Sequence, residues 1–192
     1  MPYYFQNNYL YHDIECKLIV NGKIIAHGTE SEKIQFTFKD RTEKHWKHKC
    51  GLIVDDAEGQ FINCVFNKFE NEFALKVNNS DIFISRCIFS NNKGDAIFLS
   101  CSNSIVKENI IENNQKGLSL MTSNLLNIIE NNVIKNNDYG LDVRSSRKNS
   151  FKIISNEFKL NNKGLQLAGD SNDQTFPRLL GTSNLFFSKY HF

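Results

Sequence analysis

Asp142 and Arg144 stand two residues apart in Gly140-Leu-Asp-Val-Arg144, and with Lys76 they are the side chains best suited to chemistry. A carboxylate can take the proton α to a carboxyl group while neighbouring cations, or a calcium ion, neutralise that carboxyl; this is what β-elimination needs. A hydrolytic pair would need two carboxylates about 5–9.5 Å apart, and Asp95, Asp138 or an acidic turn residue would have to partner Asp142. Arg147 and Lys163 lie nearby on turns. The same Asp–Arg spacing also describes a solvated ion pair worth under about 1 kcal/mol. His45, His48 and Cys50 match no strong zinc spacing, so they read as a projecting loop over 39–50, anchored by Trp46. No metal site and no resident cofactor are expected, calcium excepted under the elimination chemistry.

Lys76 and Asp142 are 66 positions apart in the chain, so the fold must bring them to one surface. A nine-residue phrase shows how. Asn63-Cys-Val-Phe-Asn-Lys-Phe-Glu-Asn71 returns, with variation, from Arg86, Asn109, Asn132 and Asn156 (63→86→109→132→156), a spacing of 23, 23, 23 and 24 residues. A fixed period in this range marks a solenoid. Each repeat holds three runs of three to five β-branched or aromatic residues bounded by Asn and Gly, which read as strands. No helix of ten residues fits between the turns. Three strands in about 23 residues make one rung of a parallel β-helix, with rungs stacked about 4.8 Å apart.

Gly94, Gly117, Gly140 and Gly164 are expected to close turns that need positive φ, with Asn71 in the same slot. Asn63, Asn109, Asn132 and Asn156 are expected at a tight bend, their amides bonding from rung to rung; Arg86 interrupts that ladder. Strand alternation then sorts the faces. After each glycine turn Leu75, Ile97, Leu118, Leu141 and Leu165 point inward. Lys76, Phe98, Ser119, Asp142 and Gln166 form an outward column and candidate ligand surface, flanked by Ser100, Met121, Arg144 and Ala168. On the other strands Phe83, Val106, Ile129 and Ile153, and Val65, Ile88, Ile111, Ile134 and Phe158, are assigned inward. That leaves Ile82, Ile84, Ile105 and Ile128 outward on one sheet, and Cys64, Phe66, Cys87, Phe89, Ile110 and Val133 outward on the next. Such an apolar exterior is either a contact surface or is covered by the chain itself.

The phrase Asn-x-Ile…Asn-Asn-x-x-Gly-Leu resembles the right-handed parallel β-helix repeats of the pectate-lyase-like and NosD-like proteins, over roughly Ile19 to Gly164. Leu18-Ile-Val-Asn-Gly-Lys-Ile-Ile-Ala-His-Gly-Thr29 is similar to that family's first rungs. The resemblance implies an all-β, single-stranded right-handed solenoid. It leaves activity open among lyases, hydrolases, epimerases, tailspikes and binding modules. In the enzymes it resembles, the sheet after the glycine turns and its flanking turns carry the substrate groove.

One domain accounts for all 192 residues. Residues 1–14 read as an aromatic cap, 15–62 as first rungs, 63–168 as regular repeats and 169–192 as a loop and cap. A formal charge of +2 gives no reason to expect nucleic acid as partner, and no apolar run is long enough to span a membrane. The start lacks the basic region and apolar run of a secretory signal, and five cysteines follow no redox or zinc spacing. A cytoplasmic protein is therefore expected, with an exported, processed domain as the alternative. Cys64 and Cys87 share a rung position close enough to bridge, although a reduced stacked pair suits a cytoplasmic protein better. The expected function is a non-catalytic binding or interaction module with carbohydrate as the leading ligand class. A polysaccharide-active enzyme and an assembly scaffold, self-associating or bound to a protein partner through the apolar exterior, are the alternatives.

Overall fold

The computed structural model describes residues 4–6, 9–11, 17–37, 51–70, 72–122, 126–145, 151–168 and 184–187. These residues contain strands, turns and bends but no helix. Three parallel sheets run along a common axis as a β-helix. The first holds seven strands: Lys17–Val20, Gly51–Asp55, Phe73–Asn78, Asp95–Ser100, Lys116–Thr122, Tyr139–Ser145 and Lys163–Ala168. The second holds Lys23–His27, Glu58–Ile62, Asp81–Ser85, Ile105–Lys107, Asn127–Glu130 and Phe151–Ile154. The third runs from Ile34–Thr37 and Cys64–Asn67 through Ile88–Ser90, Ile110–Glu112, Val133–Lys135 and Glu157–Lys159 to Leu185–Phe187. Of the expected cap, Tyr4–Gln6 and Tyr9–Tyr11 pair as an antiparallel hairpin. The 39–50 loop with its two histidines, and Arg147, lie outside the described residues.

Sharp corners between short strands require left-handed backbone, and asparagine is the residue most often found there. Asn63, Arg86, Glu108, Asn131 and Ser155 turn the chain from second sheet to third with φ of 51–57°. Lys68, Asn91, Asn113, Asn136 and Leu160 turn it from third to first. Left-handed φ costs roughly 1–2 kcal/mol for an L-residue, so something at each corner must offset it. The next residue does so. Asn109 N and Nδ2 donate to Asn132 Oδ1 at 3.0 and 2.9 Å, Asn132 donates likewise to Asn156, and Asn156 to Asn184. A second ladder, Asn92–Asn114–Asn137–Asn161, lines the other corner with Nδ2–Oδ1 distances of 2.8, 3.0 and 3.0 Å.

The glycines serve another purpose than the one expected. Among the described glycines only Gly22 has positive φ. A Cβ on Gly117 would lie 2.6 Å from the Gly140 carbonyl oxygen, and one on Gly140 would lie 2.5 Å from that of Gly164. Strand register places Ala74 and Ala96 in the same column in the preceding rungs. The column selects small volume, because there two successive residues both face the interior.

Rung length also departs from a uniform 23, and this corrects the expected faces of the second and third sheets. Cys87, and not Arg86, occupies the ladder column: its N–H donates to Asn109 Oδ1 at 2.8 Å, and Cys64 N–H donates to Cys87 Sγ at 3.4 Å. The step from Cys87 to Asn109 is therefore 22 residues, and Ile88 pairs with Ile110. One residue of slip exchanges the two faces of a strand. Phe66 and Phe89, expected outside, are fully buried and continue the Ile111–Ile134–Phe158 column. Phe36, Phe66 and Phe89 stack face to face with centroids 4.6 Å apart at each step. Ile82, Ile84, Cys64 and Cys87 are likewise buried, while Phe83 faces out beneath Lys107. Val65 and Ile88 alternate away from the Phe66–Phe89 column, Ile88 half-buried and Val65 still buried. Ile105 and Ile110 are exposed as expected, at 36% and 39%, and Ile128 and Val133 are half-buried. Both thiols of the stacked pair are free, and the bond with Cys64, reinforced by burial, pushes the Cys87 thiol up.

Candidate functional site

On the first sheet the inner face is as expected, and the expected outward column lines up in register, but Ser119 and Asp142 within it are buried. Leu75, Ile97, Leu118 and Leu141 are buried in the core and Leu165 packs against it. Lys76, Phe98, Ser119, Asp142 and Gln166 align in one outward column by direct register. Ser100, Met121 and Arg144 align beside it. A third column, Phe73–Asp95–Lys116–Tyr139–Lys163, completes the face. Simple alternation misses it, because the small-residue column just inside breaks the in–out phase at this corner.

The face alternates cations with aromatic rings. Lys76 Nζ sits 5.5 Å from the Phe73 centroid and 5.6 Å from that of Phe98. Two rungs further, Tyr139 has Lys116 Nζ at 5.9 Å and Lys163 Nζ at 4.8 Å, and Lys163 also reaches the Tyr139 hydroxyl at 3.4 Å. Phe73, Lys76, Asp95, Phe98 and Lys116 line a shallow depression of about 270 Å³.

Asp142 lies under this surface rather than on it. Only 2% of the residue is exposed, and its Oδ2 accepts from Lys116 Nζ at 2.9 Å and from an Arg144 Nη at 3.3 Å. Its Oδ1 has no hydrogen-bond partner, and neither has the equally buried Ser119 hydroxyl. Lys76, grouped with Asp142 by sequence, sits three strands away in the same column. Asp138 accepts from Asn162 Nδ2 at 2.8 Å on a neighbouring turn. Asp142 therefore keeps Lys116 and Arg144 in place, and a base on this face would have to compete with both.

Asp95 is the acid with a displaced equilibrium. Burial pushes its carboxyl above the usual 3.8, the Asp142 charge adds to this, and the Ser119 hydroxyl and the Lys116 ammonium pull it back. The hydroxyl acts here by proximity, since it makes no hydrogen bond of ordinary geometry. An acid whose folded-state pKa is raised contributes most at low pH, and that contribution is lost as pH rises through the folded value. Asp95→Asn is therefore expected to raise the melting temperature at pH 7 and to change it little near pH 3. Thermal melts of the two proteins across that range check this; equal shifts at both ends would contradict it.

No group of three His, Cys, Asp or Glu is placed to hold a metal ion among the described residues, and no described helix could cross a membrane. The class defined by this geometry is a three-sheeted parallel β-solenoid with side-chain ladders at its corners and a mixed aromatic and charged outer face. A family described as right handed beta helix region matches residues 23–177. The chain belongs to that family. Neither the curated proteins nor the solved structures gave a match.

Proposed function

We propose that this β-helix module is non-catalytic and binds carbohydrate along the outward face of its first sheet. The observation that carries the reading is the Phe73–Lys76–Phe98 cluster bordering the depression, with Tyr139 between two lysines further along the same face. Aromatic rings give the apolar face of a sugar a flat surface, and lysine, aspartate and glutamine supply hydrogen bonds around it. A binding site needs no cofactor. The burial of Asp142 and its engagement by two cations argue against the lyase and hydrolase alternatives, in which it would be the base. Phe98→Ala is expected to weaken glycan binding about tenfold, the effect of losing roughly 1.4 kcal/mol of stacking, with little change in stability. Titration calorimetry with a glycan that binds the unmodified protein checks this, and unchanged affinity would sink the reading.

A second reading rests on the other two sheets. Ile25 is 61% exposed, and Ile25, Phe83 and Ile105 line another depression of about 270 Å³ on the second sheet. Ile110 lies outward on the third sheet. If self-association through this exterior is part of the function, light scattering over a concentration series will show dimers or trimers, and Ile105→Glu will return the protein to monomer. A monomer at every concentration would remove this reading.

A further inference from the structure

We propose that the stretch of this face between Phe98 and Gln166 is a subsite for an uncharged, hydroxyl-bearing sugar ring, one hydroxyl of which donates to Asp142 Oδ1 while Ser119 Oγ bonds the same hydroxyl or its neighbour. The inference rests on the carbohydrate reading and narrows it.

Buried polar atoms in folded proteins nearly always have partners, so two orphans side by side need a reason. Asp142 Oδ1 and Ser119 Oγ are both buried and unpartnered, and Ser119 pairs directly with Asp142 in the strand register. An ionised carboxylate only accepts, so the group that completes Asp142 has to be a donor. Carboxylate and sulfate groups of a ligand carry no proton to give at neutral pH and are thereby unsuited to this position.

A cationic donor is disfavoured by the surroundings. Lys76, Lys116, Arg144 and Lys163 stand over this face, against Asp95 and Asp142, and Lys116 and Arg144 already occupy Asp142 Oδ2. What remains is a neutral donor, and a hydroxyl is the one a sugar supplies. The adjoining positions of the column suit the rest of the ring: Phe98 on one side for its apolar face, Gln166 on the other for a further hydrogen bond. Arg144, with a side chain 58% exposed, holds Asp142 Oδ2 by the longer of that oxygen's two contacts, 3.3 Å against 2.9 Å for Lys116, and is the one of the pair that a ligand displaces more readily.

The test begins with the full chain on a printed array of neutral hexose and xylose oligomers beside galacturonate, glucuronate and sulfated oligomers. The best-bound glycan is then titrated against the unmodified protein, Ser119→Ala and Asp142→Asn. The expected result is a neutral glycan as best binder. Ser119→Ala should weaken it roughly three- to tenfold, the effect of one hydrogen bond, with little change of melting temperature, because the deleted hydroxyl makes no hydrogen bond of ordinary geometry and acts only by proximity to the Asp95 carboxyl. Asp142→Asn, which loses charge and places an amide at the same spot, should weaken it at least as much. Preference for acidic glycans, or affinity indifferent to Ser119→Ala, would overturn the subsite and leave carbohydrate binding standing. An array with no bound glycan would overturn both.

Discussion

Phe89→Ala should cost about 3–5 kcal/mol of folding stability, the range for removing a buried aromatic side chain from a core that cannot collapse around the gap. Phe89 is fully buried and stacked 4.6 Å from Phe66, which stacks in turn on Phe36. The neighbouring rungs continue the column with Ile111, Ile134 and Phe158. Ladder hydrogen bonds above and below hold the backbone, so the cavity persists. Ile110→Ala removes a side chain that is 39% exposed and should cost less than half as much. Urea midpoints of the two variants decide the register directly. A uniform 23-residue period would put both Phe89 and Ile110 outside, and the two substitutions would then have similarly small effects.

Asn132→Ala is expected to cost on the order of 4 kcal/mol. Its Oδ1 accepts from both Asn109 N and Asn109 Nδ2, and its Nδ2 donates to Val106 O, Glu130 O and Asn156 Oδ1. Truncation strands several buried groups at once, and each unsatisfied group costs roughly 1–3 kcal/mol; relaxation of the corner recovers part of the total. Asn131→Ala, one residue earlier, removes no rung of the ladder and touches only a left-handed position at φ 54°. Its cost should stay near the 1–2 kcal/mol of that conformation. Equal losses at the two positions would mean that the ladder contributes nothing beyond backbone conformation.

The fold was legible in the sequence because stacking forces like residues into like positions, and five occurrences of one phrase exceed what a non-repeating chain would show. The inner face of the first sheet was legible to the level of single side chains, since Leu75, Ile97, Leu118 and Leu141 mark it whatever the rung length. Faces of the other two sheets were harder to read. Ile82, Phe83 and Ile84, or Val65 and Phe66, are apolar on both sides, so alternation carries no phase and a 22-residue rung between Cys87 and Asn109 passes unnoticed. The clue was Cys64 and Cys87, which follow a left-handed residue as Asn109 and Asn132 do. The second ladder was visible as the recurring Asn-Asn pair, but the glycine after it drew the interpretation toward φ. The third column of the site was hidden because two consecutive inward residues, such as Ala96 and Ile97, break the period of two.

The measurement that bears most directly on the binding face is nuclear magnetic resonance of the labelled protein, titrated with the glycan it binds best. Shifts should move at Phe73, Lys76, Phe98, Ser119 and Tyr139, which share one outer face across four successive rungs, and stay still at Phe83 and Ile105 on the second sheet. Movement centred on Phe83 and Ile105, with the Phe98 column silent, would contradict the account.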